Sequence, residues 1–139
     1  MTDQEAFDKV CEWLRRPGAS RCVDENDCCV YYRPSDGNRC GIGGIMPEDM
    51  AQMCGGVNLN ASQMADPEWI IRTGLDYNVN SHSIVEYFKG VNLRLLDSLQ
   101  SVHDSVMHWD ELGSKFNKDG ENALAELAGS YHLNYTEAA

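Results

Sequence analysis

Two arginines carry the strongest chemical signal in this chain of 139 residues. Arg33 and Arg39 flank a turn in the stretch Tyr31-Tyr32-Arg33-Pro34-Ser35-Asp36-Gly37-Asn38-Arg39. A guanidinium is a planar fork of donors suited to phosphate or carboxylate, and a tyrosine ring offers a base a stacking face. With Ser35-Asp36-Gly37 as a three-residue hairpin loop, Arg33 stands opposite Arg39, and Tyr31 shares the strand face of Arg33. Like charges facing each other across a ladder destabilise it. Either an anion lies between the two arginines, or Asp36 or another acid neutralises them. The glycines that follow, Gly41, Gly43 and Gly44, fit the first option, because glycine in a strand marks a bulge or the close approach of a ligand or another backbone. Backbone N–H groups bared there, and a helix start at Pro47, would favour negative charge. The run is neither a P-loop nor a dinucleotide fingerprint, since the spacing is wrong and no Gly-Lys-Ser/Thr follows.

A second constellation is His103-Asp104 with His108. Metal phosphohydrolases carry an adjacent His-Asp pair, but they need further histidine and aspartate ligands from other helices. His108 lies five residues beyond His103 and points elsewhere on a helix, whereas Asp104 and His108 are spaced to pair along its surface. Local hydrogen bonding is the plainer reading of all three. The six cysteines lie in the first part of the chain, at positions 11, 22, 28, 29, 40 and 54. No Cys-x-x-Cys knuckle and no neighbouring histidine accompanies them, so buried reduced thiols are expected. The remaining metal option is structural zinc on Cys22, Cys28, Cys40 and Cys54. Asp76-x-Asn78-x-Asn80 begins like a calcium loop, but Ser81, Ser83 and Tyr87 stand where glycine, an apolar residue and glutamate belong. No Gly-x-Ser-x-Gly elbow is present.

The elements that must position these residues are mostly helical. Thr2-Asp3-Gln4-Glu5 is a capping box, and Phe7, Val10, Cys11 and Leu14 then recur at helical spacing, predicting a helix over 3–16 that Pro17-Gly18 ends. The hairpin spans 28–45, with Arg39 to Ile45 as its return strand. Short helices are expected over 47–54, 67–73 and 84–89, the last opened by the capping box Ser83-Ile84-Val85-Glu86. The longest helix covers 92–109, with Leu95, Leu96, Leu99, Val102, Val106 and Met107 on its buried side. A final helix covers 118–131. The expected fold is α+β: a helix-dominated single domain, residues 1–139, with one small antiparallel hairpin.

Composition limits the partners. The net charge of −11, from 11 basic and 22 acidic side chains, repels nucleic acid and anionic membrane surfaces. A basic protein partner, or an anion in a locally basic pocket, remains compatible with that field. No apolar run is long enough to span a bilayer. The acidic, polar start Met1-Thr2-Asp3-Gln4-Glu5 does not read as an export signal, so the expected address is cytoplasmic.

Two motifs carry a resemblance. Tyr32-Arg33-Pro34-Ser35-Asp36-Gly37-Asn38-Arg39-Cys40-Gly41-Ile42-Gly43, followed by Ile45 and Pro47, resembles the core of a family of small uncharacterised proteins of phages and bacteria. Its members look like Tyr-Arg-x-x-Asp-Gly-x-(Lys/Arg)-Cys-x-x-Gly, with Leu-Gln-x-x-His-Asp on a late helix; here that element is Leu99-Gln100-Ser101-Val102-His103-Asp104. The likeness spans most of residues 5–132, and the chain departs from it at Pro34-Ser35, where the family has Gly-Pro. The resemblance implies a phage accessory context, in which small acidic proteins counter host defences by blocking a protein or sequestering a nucleotide signal.

The leading functional expectation is a non-enzymatic binding protein, needing no cofactor. It would hold a small anionic, nucleotide-like ligand through Tyr31, Tyr32, Arg33, Arg39, Gly41, Gly43 and Gly44. The hairpin's uncovered edges suggest a homo-oligomer. The alternatives are an acidic protein–protein inhibitor or nucleic-acid mimic, acting on a host protein, and a metal-dependent phosphoesterase around His103 and Asp104, with His108 as a further candidate polar residue.

Overall fold

A computed structural model describes residues 1–54, 60–66, 68, 79–110 and 114–138. Among them are seven α-helices and one two-stranded antiparallel sheet, the helix-dominated α+β architecture expected from the sequence. No helix among the described residues is long and apolar enough to cross a membrane.

Helix α1 (Asp3–Arg15) opens on the capping box: Glu5 N–H donates to Thr2 Oγ1 at 3.1 Å and Thr2 N–H to Glu5 Oε1 at 3.4 Å. Its buried stripe is Ala6, Phe7, Val10, Cys11 and Leu14, as the apolar spacing predicts. Strands β1 (Tyr32–Arg33) and β2 (Asn38–Arg39) follow, then α2 (Gly41–Ile45) and α3 (Glu48–Met53). Helix α4 (Ala61–Met64) precedes α5 (Val79–Tyr87) and α6 (Leu93–Asp104). A 3-10 turn over Val106–His108 leads to α7 (Lys118–Ser130), capped by Asn117. The core forms where α1, α2 and α6 meet; α4 and α7 pack against α6. Leu95, Leu96 and Leu99 are its fully buried centre.

Several expectations need correction. The hairpin is shorter than 28–45 and its register differs: Tyr32 pairs with Arg39 and Arg33 with Asn38, so the two arginines are not opposite each other. Four residues, not three, separate the strands, although Gly37 takes the expected left-handed conformation at φ 72°. Upstream of β1 the chain pairs elsewhere, in an isolated bridge between Val23 and Cys29. The return strand stops at Arg39, because Cys40 Sγ accepts the Gly43 N–H at 3.2 Å and turns the glycine run into helix α2.

The long helix ends at Asp104 instead of residue 109, where Ser105 turns extended. Val106 and Met107 are therefore 64% and 69% exposed, not buried. Helix α5 starts at Val79, so Ser83 lies inside it and does not cap it. Helix α4 was not among the expected elements, although its capping box of Asn60 and Gln63 is a signal present in the sequence. The expected helix over 67–73, apart from Glu68, and the Asp76–Asn78 part of the calcium-like loop lie outside the described residues.

Candidate functional site

Arg33 and Arg39 go separate ways. Arg33 forms a bidentate pair with Asp36, Nε to Oδ1 at 3.0 Å and Nη2 to Oδ2 at 2.6 Å, and its Nη1 donates to Val23 C=O at 2.9 Å. The Arg33 hydrogen bond, joined by the Asn38 N–H, holds the Asp36 carboxyl down at about 2. Asp36 thus neutralises Arg33 and fixes the turn, but it does not reach across to both arginines. Arg39 instead donates to Met46 C=O at 3.0 Å and lies over Trp13.

The tyrosines and glycines have packing roles. Tyr31 is buried, and burial pushes its phenol pKa up. Tyr32 is half-buried and accepts a hydrogen bond from Gln52 Nε2 at 3.4 Å. Gly41 and Gly43 are buried within α2. A Cβ on Gly41 would stand 3.3 Å from the His103 Cβ; one on Gly43 would overlap the Tyr31 carbonyl oxygen, and one on Gly44 the Trp13 indole. The run lets a helix approach its neighbours closely, and the Gly43 and Gly44 N–H groups are taken by Cys40 Sγ and C=O.

The approach of α2 to α1 builds a different basic site, around Trp13. The indole N–H donates to Arg39 C=O at 3.1 Å. The guanidinium carbons of Arg16 and Arg39 lie 3.4 and 4.6 Å from the indole centroid, within cation–π range. Arg16 caps the end of α1 and donates to Trp13 C=O at 2.6 Å and to Asn38 Oδ1 at 2.8 Å. Asn38, 8% exposed, is itself anchored: its Nδ2 donates to Ser20 C=O and Oγ at 3.1 and 3.0 Å, while its Oδ1 also accepts the Arg39 N–H at 2.9 Å. Burial, and then the charge of Arg39, push the Arg16 pKa down. Among the described residues neither arginine is in an ion pair, whereas Arg15, Arg21 and Arg33 each have an acidic partner. Beside the indole a hollow of about 280 Å³ is lined by Lys9, Glu12, Trp13, Arg16, Gly44 and Ile45.

Arg16 and Trp13 were missed as site residues. Their three-residue spacing on one helix face is a signal the sequence contains; the position of Asn38 beneath them is not.

His103 and Asp104 do come together, as a brace. His103 is fully buried, and its Nε2 accepts the Cys22 N–H at 3.2 Å. The Nδ1 therefore carries the proton and donates to Asp104 Oδ1 at 2.7 Å, an oxygen that also accepts from Gln100 Nε2 at 3.0 Å. Gln100 Oε1 in turn receives the Cys40 thiol at 3.2 Å. His108 does not join: α6 has ended, and its Nδ1 bonds Val102 C=O at 2.7 Å in place of the expected pairing with Asp104. The four cysteines considered for zinc do not converge. Cys28 is exposed near Asn26 C=O, Cys40 faces Gln100, Cys54 lies 4.0 Å from the Met46 sulfur, and Cys22 is buried by the His103 brace.

Among the described residues the one metal-capable trio is Cys29, His103 and Asp104. There Arg21 Nη2 donates to Cys29 Sγ at 3.5 Å and the His103 nitrogens are both engaged. Burial, and then the Asp104 charge and hydrogen bond, push the Cys29 thiol up to about 12, so the free thiol stays protonated at neutral pH.

Compared with known proteins, the chain matches no family model, no curated protein and no solved structure, so its own geometry has to carry the functional reading.

Proposed function

We propose that the protein binds, without converting it, a small anionic ligand of nucleotide-like chemistry, gripped by Arg16 and Arg39 beside Trp13. The observation that carries this reading is a pair of guanidiniums around one indole, without a carboxylate on either among the described residues, in a chain of net charge −11. Main-chain carbonyls and the Asn38 amide orient both guanidiniums while leaving their charge uncancelled. A phosphate or carboxylate would relieve the mutual repulsion and accept the remaining N–H donors. Lys9 at the hollow adds positive charge, and Glu12 limits it. The reading keeps Arg39 from the sequence expectation and puts Arg16 in place of Arg33. At His103 a structural role is favoured over catalysis, because both ring nitrogens are engaged within the protein. The phage accessory role implied by the resemblance, a cytoplasmic address and a homo-oligomeric state belong to the same proposal.

Titration calorimetry with inorganic phosphate, nucleoside mono- and diphosphates and cyclic nucleotides tests it. Binding is expected with at least one of these, weakening with added salt. Arg16→Ala and Arg39→Ala should each lower affinity about tenfold or more, the effect of losing a charge-assisted contact. Arg33→Ala, already paired with Asp36, should bind as the wild type does. Silence across the panel, or a loss confined to Arg33→Ala, would refute the assignment.

A further inference from the structure

After α7 the chain doubles back over α1. The reversal is a Schellman turn: Leu133 N–H donates to Ala128 C=O at 2.8 Å and His132 N–H to Gly129 C=O at 3.4 Å. His132 occupies the left-handed region at φ 55°, where a side chain is crowded and glycine is usual. From residue 133 to 138 the chain joins neither helix nor strand. Side chains hold it instead, with Tyr131, Leu133 and Tyr135 half-buried against the edge of the core. Asn134 N–H donates to Gln4 Oε1 at 2.8 Å, and Gln4 Nε2 donates back to Asn134 C=O at 3.1 Å. Tyr135 Oη donates to Glu121 Oε2 at 2.7 Å, and Arg15 Nη2 to Thr136 C=O at 2.9 Å. The socket beneath is the Arg15–Glu121 ion pair, 2.7 Å on each arm, which ties α1 to α7. Burial opposes ionisation of Glu121, but the hydrogen bonds from Arg15 and Tyr135 outweigh it and keep its carboxyl below the usual range.

These contacts set the segment between two hollows. One, of about 550 Å³, is walled by Tyr135, Glu137 and Ala138. The other, of about 530 Å³, is walled by Thr136 and reaches Phe7 and Cys11 on α1. Arg15, Arg16 and Pro17 line both, so lifting the segment would merge them into one trough along α1.

We propose that residues 131–138 form a releasable latch over α1, which opens as a unit at the His132 turn while the helices beneath stay folded. A segment held by a few side-chain bonds and three half-buried side chains, with no backbone ladder of its own, opens at lower free energy than the helices it covers. The latch stands independently of the anion reading.

Amide hydrogen exchange followed by NMR on the whole chain tests the latch. In the wild type, Asn134 N–H should be protected, but less than the helical amides of α1 and α7. In the double variant Gln4→Ala with Tyr135→Phe, exchange at Asn134 should accelerate about tenfold or more while the helical amides keep their wild-type rates. In the wild type, low urea should leave Asn134 exchange nearly unchanged while accelerating the helical amides, since a local opening exposes little surface. An unprotected Asn134 in the wild type, an unchanged rate in the variant, or an Asn134 response to urea parallel to that of the helices would each overturn the latch.

Discussion

At the scale of single residues, Arg33, Asp36, Asn38, Cys40, Gln100, His103 and Asp104 of the two motif stretches all find side-chain partners inside the protein. Arg33 and Asp36 show this most directly, because their bidentate pair also organises the turn through the Asn38 N–H, 3.0 Å from Asp36 Oδ1. The consequence is a titration. The Arg33 hydrogen bond lowers the Asp36 carboxyl from 3.8 to about 2 in the folded protein. Its folded pKa lies below its unfolded one, so the ionised pair stabilises the fold above the unfolded value. That contribution fades as pH falls toward about 2. Carbon-detected NMR titration of Asp36 should find this low midpoint, and Arg33→Gln should return it to the ordinary range. A wild-type midpoint already near the ordinary value would contradict the pair. The pair was one of two options legible in the sequence; that Arg39 would leave it was not, because a shift of register by one residue decides it.

At the scale of elements, the decisive piece is α2. A glycine-rich run after a strand reads as a weak return strand, yet its cap, the Cys40 sulfur, and its neighbours, Tyr31 and Trp13, make it a helix packed at backbone distance. The two inner glycines should therefore differ in tolerance. At Gly43 a methyl meets the Tyr31 main chain, which cannot yield, so Gly43→Ala should cost about 3 kcal/mol, at the upper end for overpacking. At Gly44 it meets the Trp13 side chain, which can shift, so Gly44→Ala should cost about 1 kcal/mol and disturb the indole. Urea unfolding followed by circular dichroism gives both values; equal costs would mean that the Tyr31 contact is not rigid. Helix α1 was legible from its capping box and apolar periodicity, and α7 was expected within one residue of its observed end. The end of α6 was not, because Val106 and Met107 continue the apolar spacing while the chain turns at Ser105.

At the scale of the whole molecule, motifs distant in sequence become one unit. The Cys40 thiol bonds Gln100 across 60 positions, Gly41 faces His103, and His103 reaches Cys22. The net charge acts on the same scale. With −11 spread over a small domain, self-repulsion opposes compaction, and salt should relieve it. The melting temperature is expected to rise between ~0.02 and ~0.3 M sodium chloride, as the Debye length shrinks severalfold. Calorimetric melts across that range check this. A melting temperature that stays flat or falls would show that local ion pairs, such as Arg15–Glu121, dominate over the net field.

The sequence by itself determined the helix-rich class, the cap and buried stripe of α1, the place of α7 and the acidic field, since each follows from local spacing, cap chemistry or composition. Only the tertiary structure decided which arginines meet at the Trp13 indole. Arg16, at the end of one helix, and Arg39, at the end of a two-residue strand, meet because glycines let α2 press Trp13 between elements. That encounter depends on register and close packing between distant segments, and neither is written in the spacing of residues along the chain.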